Sequence, residues 1–512
     1  MFRASRVCLQ PARRAVVVGG GPVGAAMAAV CRQFDIEVDL FEKYSDLRLR
    51  PLNARRSINL TLGLRGVRLA DALGRKDKLL ANTVPVRGRM IHDLDGSQHF
   101  QPYGVHEECN FSVDRGELNA FWLNMAAEAG ARIHFDHMLQ DFDLDKGTAS
   151  FCQTDSPEGM SVDRNLNLTV SVREGSRGVD VDNIDFFIAC DGAGSMVRQT
   201  LVKRYADLTE TNDFIGWGYK EVTIPALPDG QPALSNPEAL HIWPRGEHFL
   251  MALPNPGGSF TGTIYMDDEA VRPNGAAPAT TGNDSFQSTS TRESARALWE
   301  SAYPDALAIV GEEGLRQHVE NPVGLLGTVR TSRYFVSGQR THAMLAGDAA
   351  HAIVPFFGQG VQAGLEDAYE FREILASERG SYDPAKVVEA FSRKRVRNNE
   401  ALREMALENA VEMGDKVGQE RFRLRKAIES RLEEEMPHKY RSRYALVSYS
   451  HNPYADVYDF GKVQGHWLDQ LVDQMMGKGV TDATKIERKF LEAEVDRVIS
   501  PAADSLGIRM TA

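Results

Sequence analysis

The chain has 512 residues, of which 42% are hydrophobic and 25% charged, and its net charge is −12. These are the proportions of an ordinary soluble globular enzyme of two or three domains, and the acidic balance argues against a nucleic-acid partner. The cysteines are widely separated and the histidines scattered, which predicts reduced thiols and no metal site, and no apolar stretch reaches the ~18 residues of a membrane span.

The N-terminal residues are basic, since five arginines and no acidic residue precede Asp35. Two interpretations of residues 1–14 stay open: a mitochondrial leader, or a basic tail without an address. The protein would be mitochondrial in the first case and cytoplasmic in the second.

A dinucleotide-binding motif follows the first predicted strand. An apolar run leads into Gly19, Gly21 and Gly24, spaced G-x-G-x-x-G, and then into a stretch of small residues. This order predicts a strand, a tight turn and a helix whose N-terminus would hold a pyrophosphate. Glu42, at the end of the next predicted strand, is the expected acceptor for ribose hydroxyls.

Two further acids each end an apolar predicted strand. Asp191 follows the run 186–190, and Asp348 follows the run 343–347. Strand-end acids suit a long ligand that lies across the carboxyl edge of a sheet. For each acid taken alone, a role as a loop cap is the alternative.

The order of these motifs resembles that of the flavoprotein aromatic hydroxylases of the para-hydroxybenzoate hydroxylase type. The resemblance implies a bound FAD whose ribose is contacted by Asp348. It also implies that Asp191 lies in a region shared by FAD and NADPH. Because only one G-x-G-x-x-G lies in a Rossmann context, NADPH would visit without a fold of its own.

An α/β fold with three parts is therefore expected. The parts are a Rossmann-type FAD-binding domain (15–77, 107–199 and 327–392), a β-sheet substrate domain (78–106 and 200–326) and a C-terminal helical region (393–512). Alternating or apolar runs at 240–243, 249–253 and 259–266 predict strands of the substrate sheet, whereas 270–292 predicts an exposed loop without a core.

The helical region contains a polar residue within an apolar stripe. Leu402, Met405, Asn409 and Met413 share one face of the predicted helix. Because burying an unpaired amide costs about 1–3 kcal/mol, Asn409 needs a partner. That partner is either a neighbouring backbone group or a ligand.

Many segments outside the FAD motifs are similar to the kynurenine 3-monooxygenase family. They span about residues 14–460 and comprise 55–60, 86–92, 101–104, 218–221, 240–244, 347–360, 405–409, 412–413 and 443–447. The chain ends in charged sequence, so the hydrophobic C-terminal anchor of the animal members is not expected. A homodimer stays open.

The resemblance implies a substrate site for L-kynurenine. Arg89 would hold the carboxylate through paired charge-assisted hydrogen bonds, with Tyr103, Asn409 and Tyr444 as further contacts. An apolar slot for the aniline ring, with two further residues of the pocket wall, would comprise Leu240, Phe249, Met251, Leu253, Tyr265, Pro355, Phe356, Glu412 and Met413. From the residues alone, Arg89 is also compatible with a surface ion pair, and the apolar set with plain core packing.

The same resemblance extends the FAD site beyond the glycines and the two ribose acids. The added contacts are Val23, Phe41, Lys43, Tyr44, Arg56, Thr61, Arg115, Leu139, Met196, Gly360, Val361 and Gln362. One departure concerns the flavin pyrimidine: the family usually has G-M-N-A-G where this chain has Gly360-Val361-Gln362-Ala363-Gly364.

The implied reaction is hydroxylation of L-kynurenine at ring carbon 3, with NADPH reducing the flavin and O2 forming a C4a-hydroperoxyflavin. No protein base is assigned. Two alternatives stay open: hydroxylation of another aromatic acid, and a non-catalytic binding protein on a flavin scaffold.

Overall fold

A computed structural model describes residues 13–49, 59–105, 108–154, 161–162, 168–169, 178–269, 284–378, 382–415 and 420–510, without the side chains at 161–162, 168–169, 410–415 and 420. Residues 1–12 of the predicted leader, Arg56, and the side chains of Glu412 and Met413 lie outside this description. The described strands are β1 (Arg14–Val18), β2 (Glu37–Phe41), β3 (Asn59–Leu62), β4 (Val84–Val86), β5 (Gly88–His92), β6 (Gln98–Pro102), β7 (Asn110–Asp114), β8 (Arg132–His134), β9 (His137–Asp143), β10 (Thr148–Gln153), β11 (Ser161–Val162), β12 (Leu168–Thr169), β13 (Val179–Val181), β14 (Phe186–Ala189), β15 (Glu210–Ile224), β16 (Ala239–Pro244), β17 (Phe249–Pro254), β18 (Phe260–Asp267), β19 (Gly324–Thr331), β20 (Phe335–Ser337) and β21 (His342–Leu345).

The described helices lie between these strands and fill the C-terminal region. They are α1 (Pro22–Gln33), α2 (Leu64–Ala72), α3 (Lys76–Leu80), α4 (Arg115–Glu128), α5 (Met196–Arg204), α6 (Arg292–Ala302), α7 (Pro304–Glu320), α8 (Asp348–His351), α9 (Gly360–Ser377), α10 (Pro384–Asp415), α11 (Glu420–Glu435), α12 (Arg443–Ser448), α13 (Tyr454–Gly477), α14 (Arg488–Glu494) and α15 (Ser500–Leu506).

The first large sheet is mostly parallel, with strand order β20-β21-β14-β1-β2-β8. Its central strands are apolar on both faces because both faces are covered, and all four residues of β14 are buried. On β14, Phe186 packs against Phe371 of α9, whereas Phe187 stacks on Phe142 of the small sheet β13-β10-β9 on the opposite face. The small side chains of Ala25, Ala26, Ala28 and Ala29 let α1 pack closely against this sheet and against the helices α4 and α9. This is the Rossmann-type α/β arrangement that the nucleotide motifs predict.

The second large sheet has seven strands in the order β19-β15-β18-β17-β16-β5-β6. Helices α6 and α7 cover one face, where Trp243, Leu250, Ile264 and Trp299 form a core. Since side chains alternate along a strand, the residues next to these point to the opposite face. That opposite face is available for a binding site.

The predicted loop at 270–292 is partly wrong. Residues 284–289 pack against the second sheet, and the Phe286 side chain is only 3% exposed within the core beneath α6 and α7. Residues 270–283 lie outside the description.

The C-terminal region is helical, which confirms the predicted α/β class with an added helical part. Helices α10, α11 and α13 share a core that includes Leu402, Met405, Ile428 and Trp467. Among the residues described, we find no helix whose length and apolar content would allow it to cross a bilayer.

Candidate functional site

The glycines at the end of β1 have two different tasks. Gly19 has φ +99°, and a Cβ on Gly24 would lie 1.9 Å from the Gly19 carbonyl oxygen, so both are required by the tight turn itself. Gly21 has φ −65° and no atom within 4 Å of the position where a Cβ would stand. Its backbone therefore faces open space at the N-terminus of α1, where a pyrophosphate would approach.

Glu42 is held beside this turn by two backbone amides. The Gly20 amide donates to one carboxylate oxygen at 2.6 Å and the Tyr44 amide donates to the other at 2.9 Å. Burial raises the pKa of Glu42, and these two amides oppose the rise. Because a carboxylate has about four acceptor sites, capacity for ribose hydroxyls remains.

The two strand-end acids differ in what they contact. Asp191 accepts hydrogen bonds from the Ser195 hydroxyl at 2.5 Å and the Val197 amide at 3.2 Å, so it caps the turn before α5. Asp348 is exposed in the first turn of α8 and follows Gly347, whose φ is +59°. Asp348 is therefore the acid whose side chain is exposed at this sheet edge. Asp191, in contrast, acts as a loop cap, which was the alternative interpretation of each acid.

Gln362 braces the loop before α9. Its Oε1 accepts from the Gly63 amide at 2.8 Å, and its Nε2 donates to the Gly358 carbonyl at 2.9 Å. The Thr61 hydroxyl donates to the same carbonyl at 3.2 Å. The glutamine that departs from the family pattern thus ties strand β3 to the start of α9, beside Val361 and Gly360.

The other predicted FAD contacts are spread over the same edge. Phe41 stacks between His134 and Phe151 with centroid distances of 4.4 and 3.6 Å, and both Phe41 and Leu139 belong to the core, so only their backbones can face a ligand. The remaining side chains are at least partly accessible to solvent: Val23, Lys43, Tyr44, Arg115 and Met196.

Arg115 begins α4 near the boundary of the two large sheets. Burial raises the pKa of Tyr44 and of Tyr219, and the Arg115 guanidinium lies near enough to both hydroxyls to oppose that rise. Tyr219 is on the second sheet, so Arg115 lies where a flavin could reach from one sheet to the other.

Three of the predicted substrate contacts form one cluster. The Arg89 Nε donates to the Tyr103 hydroxyl at 3.2 Å, and its guanidinium carbon is 5.4 and 5.5 Å from the ring centroids of Tyr103 and Tyr444. The two tyrosine rings stack at 5.3 Å. Asn110, which sequence reasoning missed, donates to the Tyr444 hydroxyl at 3.1 Å. The cluster presents a cation and hydroxyls together, as a carboxylate ligand requires.

Asn409 has the backbone partner that one interpretation of its helical stripe predicts, and its contact with a ligand stays a prediction. Its Nδ2 donates to the Phe356 carbonyl oxygen at 2.8 Å, so the amide has a backbone partner. The same residue also lines a cavity of about 1120 Å³, together with Arg89, Tyr103 and Tyr444. These four predicted contacts, which lie on different elements, are thus brought to one cavity.

The apolar wall lies on the same face of the second sheet. Arg89 is paired in register with Leu240, Met251 with Ile242, and Phe249 with Tyr265. Phe249, Tyr265 and Phe356 form an aromatic cluster with centroid distances of 4.7, 5.9 and 5.6 Å.

None of the seven apolar residues of the predicted slot lines the cavity: Leu240, Phe249, Met251, Leu253, Tyr265, Pro355 and Phe356. The residues that line the cavity on this side are Ile242, Pro244 and Phe357, not Phe249, Met251 or Tyr265. Leu253 is only 3% exposed, whereas Pro355 is exposed. The aromatic cluster therefore adjoins the polar cavity through Phe356 and is not part of its lining.

Trp217 and Tyr219 extend the aromatic cluster and were not predicted. Trp217 lies 5.9 Å from Phe249, and Tyr219 lies 6.0 Å from Tyr265, measured between ring centroids. The alternation Trp217-Gly218-Tyr219 in β15 was a signal that could have identified them. Asn110 carried no such signal, because it meets Tyr444 across 334 residues of sequence.

Comparisons with known proteins agree with this architecture. The family model of the FAD binding domain matches residues 13–406. Kynurenine 3-monooxygenase of Xanthomonas campestris pv. campestris (strain 8004) is 33% identical over 491 residues, which cover 96% of this chain and 97% of the relative. The protein of the same name from Myxococcus xanthus (strain DK1622) is 35% identical over 474 residues, 92% of each chain.

Solved structures share the fold at low sequence identity. The tetrameric form of 2-methyl-3-hydroxypyridine-5-carboxylic acid oxygenase matches with a TM-score of 0.56 and 17% identity, over 80% of this chain and 95% of that one. Klebsiella pneumoniae HpxO, complexed with FAD and uric acid, matches with a TM-score of 0.56 and 17% identity, over 84% and 95% of the two chains. At these identities the likeness concerns the fold alone.

Proposed function

Since this chain belongs to the kynurenine 3-monooxygenase family of FAD-dependent enzymes, we propose that it hydroxylates L-kynurenine at ring carbon 3. The balanced reaction consumes L-kynurenine, NADPH, a proton and O2, and yields 3-hydroxy-L-kynurenine, NADP+ and water. The observation that carries the proposal is the cluster of Arg89, Tyr103 and Tyr444 in a cavity beside an aromatic wall.

The residues at the first sheet fit FAD. The open backbone at Gly21 would take the pyrophosphate, Glu42 and Asp348 would bind ribose or ribityl hydroxyls, and the loop braced by Gln362 would face the flavin. When bound, FAD supplies the redox chemistry, since it accepts hydride from NADPH and activates O2.

The polar cluster would fix the amino-acid end of the substrate. Arg89 can donate two parallel N–H groups to the carboxylate, and the tyrosine hydroxyls limit where that carboxylate settles. Charge-assisted hydrogen bonds of this kind contribute on the order of 1.5–3 kcal/mol each. Asn409 would position the Phe356 loop next to the bound ring through its 2.8 Å hydrogen bond.

The apolar residues that line the cavity would orient the aniline ring, and the aromatic cluster beside the cavity would exclude water from that side. Phe249 and Tyr265 are 6% and 5% exposed, so little solvent reaches this part of the sheet face. The exclusion of water from an active site protects reactive intermediates from premature decay. We assign no base, because the ring amino group can activate carbon 3 unaided.

The direct test is turnover by purified protein. L-Kynurenine, NADPH and O2 should yield 3-hydroxy-L-kynurenine in an amount that follows NADPH consumption, and kynurenine should accelerate flavin reduction. Parallel reactions with 4-hydroxybenzoate and 3-hydroxybenzoate serve as controls for substrate choice. Turnover of such an acid, and not of kynurenine, would reassign the substrate. Bound FAD with no kynurenine-stimulated NADPH oxidation and no product would favour the non-catalytic alternative.

A further inference from the structure

Helix α9 carries two adjacent buried acids that the proposed chemistry does not use. Glu366 and Asp367 are 2% and 0% exposed. Both accept hydrogen bonds from Arg395, whose Nε lies 2.6 Å from an Asp367 oxygen and whose terminal nitrogen lies 2.7 Å from a Glu366 oxygen. The two acids therefore share one cation.

The second oxygen of Glu366 leads toward the substrate cluster. It accepts a hydrogen bond from Arg65 at 2.6 Å. Arg65 also donates to the Val447 carbonyl at 3.0 Å and to the Asn452 carbonyl. Val447 is in α12, the same six-residue helix as Tyr444, so this fork fixes α12 against α9.

The second oxygen of Asp367 leads toward the cofactor edge instead. It accepts from the Gly347 amide at 2.8 Å and lies 2.6 Å from the His351 Nε2. These two residues flank Asp348 at the ends of the short helix α8. Asp367 thus holds the loop that presents the predicted ribose acid.

Both acids are ionised in the folded protein. Burial alone would raise their pKa values, but Arg65 and Arg395 hold the pKa of Glu366 at about 2, and His351 and Arg395 hold that of Asp367 at about 2. Ionised, buried and paired groups of this kind fix geometry strongly, because removing one partner leaves the other charge uncompensated.

We propose that Glu366 and Asp367 are positioning residues with separable effects. Glu366 holds the substrate cluster in place through Arg65, and Asp367 holds the FAD-binding loop in place through Gly347 and His351. That these two regions bind kynurenine and FAD rests on the function proposed above. Arg395 links the two branches, so a change there should affect both.

The test compares three variants of the FAD-loaded protein. Arg65→Lys keeps a cation beside Glu366 but loses the fork, and it should weaken kynurenine binding about tenfold while FAD retention stays within about twofold of wild type. Asp367→Asn leaves one acceptor oxygen for the three donors on Arg395, Gly347 and His351, and it should increase FAD release about tenfold or more with little change in kynurenine affinity of the flavin-loaded fraction. Arg395→Lys should affect both.

Kynurenine affinity is read from the flavin absorbance change of oxidised enzyme without NADPH, and FAD release from flavin fluorescence after dilution. His351→Gln, which keeps the Asp367 charge, replaces Asp367→Asn if that variant does not fold, and it too should affect FAD release alone. Equal effects of Arg65→Lys and the Asp367-side variant on both constants would overturn the proposal. A wild-type protein that ignores kynurenine would refute the proposed substrate, and the FAD branch would still be tested.

Discussion

Replacing Arg89 tests the substrate assignment most directly. Arg89→Gln removes the cation but keeps a hydrogen-bonding side chain that can still reach the Tyr103 hydroxyl, now 3.2 Å from the Arg89 Nε. The variant should lose one to two charge-assisted hydrogen bonds to the carboxylate, and the first of them contributes about 1.5–3 kcal/mol. That free energy corresponds to a roughly 10- to 150-fold higher KM for L-kynurenine. Since Arg89 lies on the second large sheet and not at the nucleotide motifs, FAD content should be unchanged.

The assay is steady-state formation of 3-hydroxykynurenine, combined with the flavin absorbance of the purified protein. Arg87→Gln is the matched control, because Arg87 is on the adjoining backbone but forms an exposed ion pair with Glu238 at 2.6 Å. It should leave KM within about twofold, as expected for an exposed pair. A normal KM in Arg89→Gln, or loss of flavin from it, would refute the role assigned to this guanidinium.

Four further outcomes follow from the structure. Gly24→Ala should abolish folding, because the new Cβ would stand 1.9 Å from a carbonyl oxygen. Gly21→Ala should keep the wild-type Tm but lose FAD, because no atom lies within 4 Å of the new Cβ. Thermal melts measure the first property and flavin absorbance the second. A Gly21→Ala protein with full flavin would contradict this. Tyr444→Phe should raise the KM for kynurenine about tenfold with FAD retained, and an unchanged KM would remove its hydroxyl from the site. Burial lowers the pKa of His241 and His318 from 6.5 to about 4, so the unfolded chain binds more protons in that range and the free energy of unfolding should fall, by up to about 3 kcal/mol per residue, as pH drops from about 6.5 to 4. The free energy of unfolding, measured by urea melts across this pH range, should depend less steeply on pH in His318→Gln than in the wild type. An equal pH dependence in the two proteins would exclude a contribution from that histidine.

The nucleotide edge was predictable from sequence because its signals are local. The glycines, the strand before them and Glu42 lie within 30 residues, and each has a steric or hydrogen-bonding reason to stand where it does. The period-two placement of Phe249 and Met251 likewise predicted a shared sheet face, which the register confirms.

The rest depends on contacts between distant parts of the chain. Asn110 meets Tyr444 across 334 residues, and Arg65 meets Glu366 across 301. Neither pair has a local pattern, so composition and periodicity contain no information about them. Likewise, the sequence identified Asp191 and Asp348 as equivalent strand-end acids. Only the side-chain hydrogen bonds of Asp191 show that it caps a turn, whereas Asp348 is the acid exposed toward a ligand.

The seven-stranded sheet, with helices on one face and the binding surface on the other, divides the positions of β16 and β17 into two classes. Leu240 and Met251 can vary in size at little cost to the fold, whereas their neighbours His241 and Leu250 are 0% exposed against the helices. A mutant library aimed at new aryl substrates should therefore randomise the codons of Leu240 and Met251 and keep those of His241 and Leu250. Such a library would retain a far larger fraction of folded clones than one that changes the same number of consecutive codons.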